Sequence, residues 1–314
     1  MKPKEPSDIF PKKPHGGKSS GSSPVRLPVT EAGKLLDFLF AALPDKSRTT
    51  VKSYLTHRQV SVNKRVLTKF DAPLVPGDTV EISQEKGREE FRHPMLRIVY
   101  EDDELIVIDK KYGLLSMGTE RENRKTAYHI LSEYVKRADP RNLIFILHRL
   151  DRETSGLMMF ARSMQVQEKM QSRWNETVLE RKYYAVVEGV PAKAEGRIVS
   201  YLAENKAFQV YVTDAENGRE AITRYRVLKE NGAYALLELE LETGRKNQIR
   251  VQLAHIGHPV AGDKKYGAKT NPLDRVALHA GSIVFLHPST GERIGFESRV
   301  PYRFNALFDR RRKP

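Results

Sequence analysis

The sequence predicts an α+β protein, in which a small N-terminal α+β module precedes a larger portion built on a largely antiparallel mixed sheet. Three observations point there. Residues 181–189, 221–228 and 234–242 alternate apolar and polar side chains, the two-residue period of strands with one buried face. Only a few segments around them carry apolar residues at helical spacing. With 314 residues and 39% hydrophobic content, the chain can bury the cores of about two domains.

Residues 1–26 are rich in Lys, Pro, Gly and Ser, and are expected to form a flexible basic tail. Residues 27–83 read as a compact module. Residues 35–39 and 51–55 have helical spacing, and short strands are expected near Val60–Val62 and Thr79–Ile82, with a turn at Pro76-Gly77-Asp78. Between Lys46 and Lys69 stand seven basic residues and no acidic one, half of the net charge of +14. Arg48, Lys52, Arg58, Lys64 and Arg65 of this run can therefore present one sign of charge to a phosphate backbone. The mixed charges of residues 84–94 mark a connector.

Residues 95–314 form the larger portion. Arg97–Tyr100 and Leu105–Asp109 suggest a first hairpin turning at Asp102-Asp103. Ser163 can cap a helix whose Val166, Met170 and Trp174 repeat on one core-facing side. Residues 241–250 turn from strand into helix, with Ile249, Leu253 and Ile256 on an apolar stripe and Gly257 as the stop. Arg245, Lys246 and the first helical amides would then gather at a helix N-terminus suited to phosphate. The basic end, Arg310 to Lys313, is either a further phosphate contact or a solvated terminus.

A net charge of +14 favours polyanionic partners. The absence of cysteine excludes thiol nucleophiles, disulfides and thiolate metal sites. His255 and His258 are the closest histidine pair and do not make a metal site, so no metal is expected. No stretch has the apolar length of a bilayer span and the N-terminus is polar, so the expectation is a cytoplasmic protein without membrane contact.

The most informative segment is His148-Arg149-Leu150-Asp151-Arg152-Glu153-Thr154-Ser155-Gly156. Apolar runs at residues 143–147 and 157–161 flank it, so this polar insert is expected where two buried strands meet. Arg149 and Arg152 would hold Asp151 ionised, as opposite charges nearby favour a carboxylate. An ion pair that merely closes a loop is the structural alternative.

The string His148-Arg149-Leu150-Asp151 followed by Thr154-Ser155-Gly156 closely resembles the signature of the RluA family of pseudouridine synthases. That resemblance implies the catalytic domain fold of pseudouridine synthases, with Asp151 as the catalytic residue. It extends over nearly all of residues 95–305. Residues 181–189 are similar to the family's K-x-Y-x-A-x-V-x-G strand, which aligns Tyr183 with the site tyrosine and puts Arg181 in place of lysine. Strand alternation independently allows only one of Tyr183 and Tyr184 to face such a site. Residues 243–250 resemble T-G-R-x-x-Q-I-R, which makes Arg250 the partner of the aspartate; Lys246-Asn247 replaces a frequent Thr-His and is expected to tune RNA contacts. Lys110-Lys111-Tyr112-Gly113 stands where K-P-x-G is usual. The N-terminal module looks like an S4 RNA-binding domain.

The activity implied is isomerisation of uridine in RNA, which conserves all atoms and needs no cofactor. Asp151 could act as nucleophile or as base. A flipped uridine would sit among Tyr183, Ile249 and Leu150, with Arg149 and Arg245 near the RNA. Ribosomal RNA of the large subunit is the preferred substrate and transfer RNA the second. Hydrolytic glycosidases need two carboxylates, for which Glu153 is the nearby candidate. A catalytically silent RNA-binding protein would not need Asp151, Tyr183 and Arg250 together.

Overall fold

An eleven-stranded sheet dominates the C-terminal unit in the computed structural model, which describes residues 24–83, 91–118, 122 and 124–309. The chain divides between Phe91 and Arg92 into two units. The expected tail through residue 23, residues 84–90 of the connector and the basic end from Arg310 lie outside the described residues.

In the N-terminal unit, strands β1 (Val25–Pro28), β3 (Val60–Val62), β4 (Arg65–Val66) and β6 (Thr79–Ile82) form a sheet in the order β1-β6-β3-β4. A second pair, β2 (Gly33–Lys34) and β5 (Pro73–Leu74), flanks helix α1 (Leu35–Ala42). Helix α2 (Arg48–Thr56) follows, capped where Ser47 Oγ accepts from the Thr50 amide at 3.1 Å. Leu35, Leu39, Val51 and Leu55 bury the helical faces against Val60 and Val80. The structure corrects the tail boundary. Strand β1 begins at Val25, where Val25 pairs with Ile82 and Arg26 with Glu81, because even four residues are held once a sheet edge is available to them.

The larger unit contains β7 (Leu96–Glu101), β8 (Leu105–Lys110), α3 (Ala127–Ala138), β9 (Phe145–Ile146), β10 (Ser155–Ala161), α4 (Met164–Ser172), α5 (Trp174–Thr177) and β11 (Val178–Glu188). It continues with β12 (Glu195–Glu204), β13 (Val210–Thr213), β14 (Arg219–Glu230), β15 (Tyr234–Leu241), α6 (Gln248–His255), β16 (Leu278–Leu286), β17 (Arg293–Glu297) and α7 (Tyr302–Ala306). The sheet runs β13-β12-β14-β15-β11-β16-β10-β8-β7, with β17 on β16 and β9 on β10. The architecture is α+β with a mixed, mostly antiparallel sheet. Its one parallel strand pair among the described residues joins β10 to β16 through Ser155↔His279 and Gly156↔Ala280. That exception lies at the exit of the Asp151 loop.

Strand β10 is buried along its whole length, and Leu157, Met159 and Phe285 stand in the core with Leu105 and Val107. Gly156 has φ +112°, and an added Cβ would lie 2.1 Å from the Ala280 carbonyl oxygen, so only glycine permits this approach. Two expectations change. The strand entering the loop is only Phe145–Ile146, and α4 ends before Trp174, which opens a separate turn and packs half-buried against His148. Val166 and Met170 are core, as the helical spacing predicts.

Candidate active site

The Asp151 loop is tied down mainly through its backbone. Ser116 Oγ donates to the Leu150 carbonyl at 2.6 Å and accepts from the Leu150 amide at 3.1 Å. The Thr154 amide closes the turn on the Asp151 carbonyl, and the Gly113 amide donates to the Arg152 carbonyl at 2.7 Å. Beneath them lies Lys110, fully buried, whose Nζ donates to the carbonyls of Leu114 at 2.8 Å and Asp151 at 3.3 Å. Burial, with the charge of Arg275, brings the Lys110 ammonium down to about 7, while Asp151 and Glu153 act in the other direction. Lys111 stands in place of the usual K-P-x-G proline, and its amide uses its proton on the Met95 carbonyl, a bond proline cannot make.

Arg275 supports the loop from its far end. Its guanidinium donates to the Glu153 carbonyl at 3.2 Å and to Ser155 Oγ at 3.0 Å, and lies over Tyr112, 4.4 Å from the ring centre. Ser155 Oγ is 2.8 Å from His279 Nδ1. Because the Ser298 carbonyl, 3.4 Å from Nε2, can only accept, the neutral His279 ring keeps its proton on Nε2, and the Ser155 hydroxyl donates to Nδ1. Burial holds the His279 imidazole down at about 4, so it is neutral at pH 7.

The guanidinium on Asp151 is Arg250. Its Nη1 lies 3.1 Å from Asp151 Oδ2 and 3.6 Å from Glu153 Oε2. Its Nε and Nη2 meet Asp263 at 2.6 and 2.8 Å. Burial disfavours the Arg250 charge, but Asp263 and Asp151 more than offset it and push its pKa above the ordinary arginine value. The Arg250 side chain is 5% exposed and that of Asp151 28%, so a buried cation faces a carboxylate that substrate can reach. The expected clamp by Arg149 and Arg152 is corrected. Arg152 pairs with Glu122, and Arg149 is an exposed residue lining the cavity; adjacent turn residues point apart, whereas α6 delivers its guanidinium from across the site.

Asn247 also touches the carboxylate. It precedes α6 with φ +54°, a left-handed conformation that asparagine tolerates, and its Nδ2 donates to Asp151 Oδ2 at 3.3 Å. Asn247, expected with Lys246 to tune RNA contacts, thus lies against the Asp151 carboxylate itself. Lys246 pairs with Glu204. The expected phosphate site at this helix start is altered too. The Arg245 amide is taken by Gln248 Oε1 at 2.9 Å, and Arg245 Nε donates to the Glu220 carbonyl at 3.0 Å.

A narrow slot of about 70 Å³ collects Asp151, Tyr183, Arg250, Arg149, Leu150, Arg245 and Ile249 on its walls. Tyr183 is buried, and burial, opposed by Arg181 and assisted by Asp151, keeps its hydroxyl protonated above the usual tyrosine range. Beside the slot opens a cleft of about 570 Å³ that shares Arg149, Leu150, Asp151, Asn247 and Arg250 with it. In the N-terminal unit, Arg48 and Lys52 are exposed on α2, and Arg58 follows it. Lys64 and Arg65 are exposed at the β3–β4 turn. Four residues that shape the site carried no assigned role in the sequence: Ser116 and Arg275 lie in segments without a pattern, Lys110 ends an ordinary apolar strand, and Asp263 lies in a loop beyond the end of α6, outside helical spacing from Arg250. No group of three or more His, Asp or Glu that could hold a metal occurs among the described residues.

A family model described as RNA pseudouridylate synthase matches residues 104–255. The chain is 34% identical over 283 residues to an uncharacterized RNA pseudouridine synthase, YlyB, of Bacillus subtilis, spanning 88% of this chain and 93% of that protein. It is 32% identical over 305 residues to the ribosomal large subunit pseudouridine synthase D of Pasteurella multocida, spanning 91% of this chain and 93% of that one. Among solved structures, human RNA pseudouridylate synthase domain containing 4 is similar with a TM-score of 0.55 and 25% identity, over 66% of this chain and 90% of that one.

Proposed function

The chain belongs to the RNA pseudouridine synthases, and from that premise we propose that it isomerises specific uridines of large-subunit ribosomal RNA, with Asp151 acting on a uridine turned out of the RNA. The observation that carries this reading is the pairing of buried Arg250 with partly exposed Asp151 in one slot with Tyr183.

Isomerisation breaks the bond from C1′ to N1, turns the base, and joins C1′ to C5, after which the C5 proton leaves and N1 gains one. A buried arginine held by Asp263 fixes the rotamer of Asp151. Both Arg250 and Asn247 donate to Oδ2 of that carboxylate, so Oδ1 is the oxygen offered to the nucleoside, as nucleophile or as base. Tyr183 supplies a ring for the uracil and a protonated hydroxyl. Hydrolysis is disfavoured because Glu153 and Asp151 both converge on Nη1 of the one Arg250 guanidinium, whereas a glycosidase places its two carboxyl groups on either side of the bond it cleaves. The exposed cations Lys52, Lys64 and Arg65, with Arg48 and Arg58, fit contact with RNA phosphates by an S4-like unit. A substrate of this kind fits a cytoplasmic protein.

The test is release of tritium from C5-labelled uridine in transcribed ribosomal RNA, followed by mapping of the modified position. Label appearing in water without free uracil is expected. Free uracil would indicate hydrolysis, and release from transfer RNA alone would reassign the substrate.

A further inference from the structure

Phe208 sits at the tip of the hairpin joining β12 to β13, and its side chain is placed at two physical disadvantages. It is 72% exposed, and its φ is +58°, in the left-handed region where a side chain is strained and glycine is favoured. Slack does not explain the position. Asn205 Oδ1 accepts from the amides of Ala207 and Gln209, both at 3.0 Å, while the Phe208 amide donates to the Asn205 carbonyl at 2.9 Å. The turn is thus built to hold an aromatic ring in water.

The hairpin is also fixed against the active-site helix. Leu202 and Val210 at its base pack with Val251 of α6 in one apolar cluster. Lys246 Nζ lies 5.5 Å from the Phe208 ring centre. The next residue, Asn247, donates to Asp151. An exposed ring, with exposed Lys206 beside it in the turn, therefore stands beside the residue that adjoins the carboxylate's own partner.

We propose that Phe208 is a stacking platform for an unpaired nucleobase of the RNA substrate, near the extruded uridine. This rests on the RNA reading above and adds a subsite to it. A flat base covers the exposed ring, and exposed Lys206 suits its phosphates, while Lys246 is held beside the ring by Glu204. Backbone strain of this kind, held in place by its surroundings, clusters at functional positions.

The experiment compares Phe208→Gly and Phe208→Trp with the parent in tritium release and in fluorescence-anisotropy binding to the same ribosomal RNA transcript. Phe208→Gly removes both ring and strain. It should raise KM and Kd by roughly 5- to 100-fold, the effect of losing one stacked base, keep kcat within about twofold, and melt no lower than the parent. Phe208→Trp should keep parental affinity, with its added indole fluorescence quenched by RNA. Unchanged affinity in Phe208→Gly would overturn the proposal, and so would an affinity loss that merely follows a lowered Tm. If the parent releases no tritium but Phe208→Gly still weakens RNA binding, the isomerase reading fails and the stacking site stands.

Discussion

Asp263 holds Arg250 by the Nε and Nη2 edge of its guanidinium, at 2.6 and 2.8 Å, which leaves Nη1 for Asp151. Asp263 is 1% exposed and sits after Gly262, whose φ of +81° and close approach to the Arg275 carbonyl fix the loop. Orientation of the Asp151 carboxylate thus depends on a second carboxylate, which acts on it through the guanidinium between them.

Removing that grip should therefore affect chemistry and folding. Asp263→Ala leaves a buried cation with one partner fewer, and we expect a loss of about 3–5 kcal/mol in urea unfolding. Asp263→Asn keeps the shape and should fold better, yet lose on the order of 100-fold in kcat with KM little changed, because Arg250 no longer sets the position of Asp151. Steady-state kinetics on the same RNA separates the two effects.

The parallel pairing of Gly156 with Ala280 forms the exit of the Asp151 loop. Gly156→Ala would force a methyl to within 2.1 Å of a carbonyl oxygen at a left-handed φ, so β10 and β16 must separate. The expected cost is about 3 kcal/mol or more, read as a lower urea midpoint.

Acid should weaken the larger unit before carboxylates titrate. Burial holds His279 at about 4 and His148 at about 3, both below the free value near 6.5. The unfolded chain binds those protons below about 6.5 and the folded chain does not, so stability is complete above that pH and falls as pH drops toward 4. His279 alone should remove about 2 kcal/mol between pH 7 and 5. Urea unfolding at both pH values checks this, and equal stability would contradict a buried, neutral His279.

The N-terminal unit should contribute through charge. Lys64 and Arg65 are exposed at the β3–β4 turn, where Asn63 and Lys64 both have positive φ. Lys64→Ala with Arg65→Ala should flatten the log Kd against log salt plot by about 0.7 for each phosphate of single-stranded RNA that is no longer neutralised, with kcat unchanged.

Much of this was legible from local pattern. Period-two alternation marked β11, β14 and β15, and a contiguous signature marked the Asp151 loop. What escaped depends on contacts between residues far apart in sequence. Lys110 ends an apolar strand and nothing in its local pattern marks it as buried, yet the loop carbonyls above it make a buried ammonium tenable. Arg152 reads as a neighbour of Asp151, but the turn directs it to Glu122, while α6 brings in Arg250 from 99 residues away. Asn247 could be suspected only as a residue that tolerates a left-handed conformation before a helix. Strand β1 was hidden because four residues beside a Lys- and Ser-rich segment carry too short an alternation to be read.

The most direct test compares the parent with Asp151→Asn on one ribosomal RNA transcript. Asparagine fills the same volume and can still accept from Arg250 and Asn247, so RNA affinity should remain within about threefold. The parent should release C5 tritium to water, and Asp151→Asn should release none above background. Release by the variant at a rate near the parent's would show that this carboxylate does not carry the reaction.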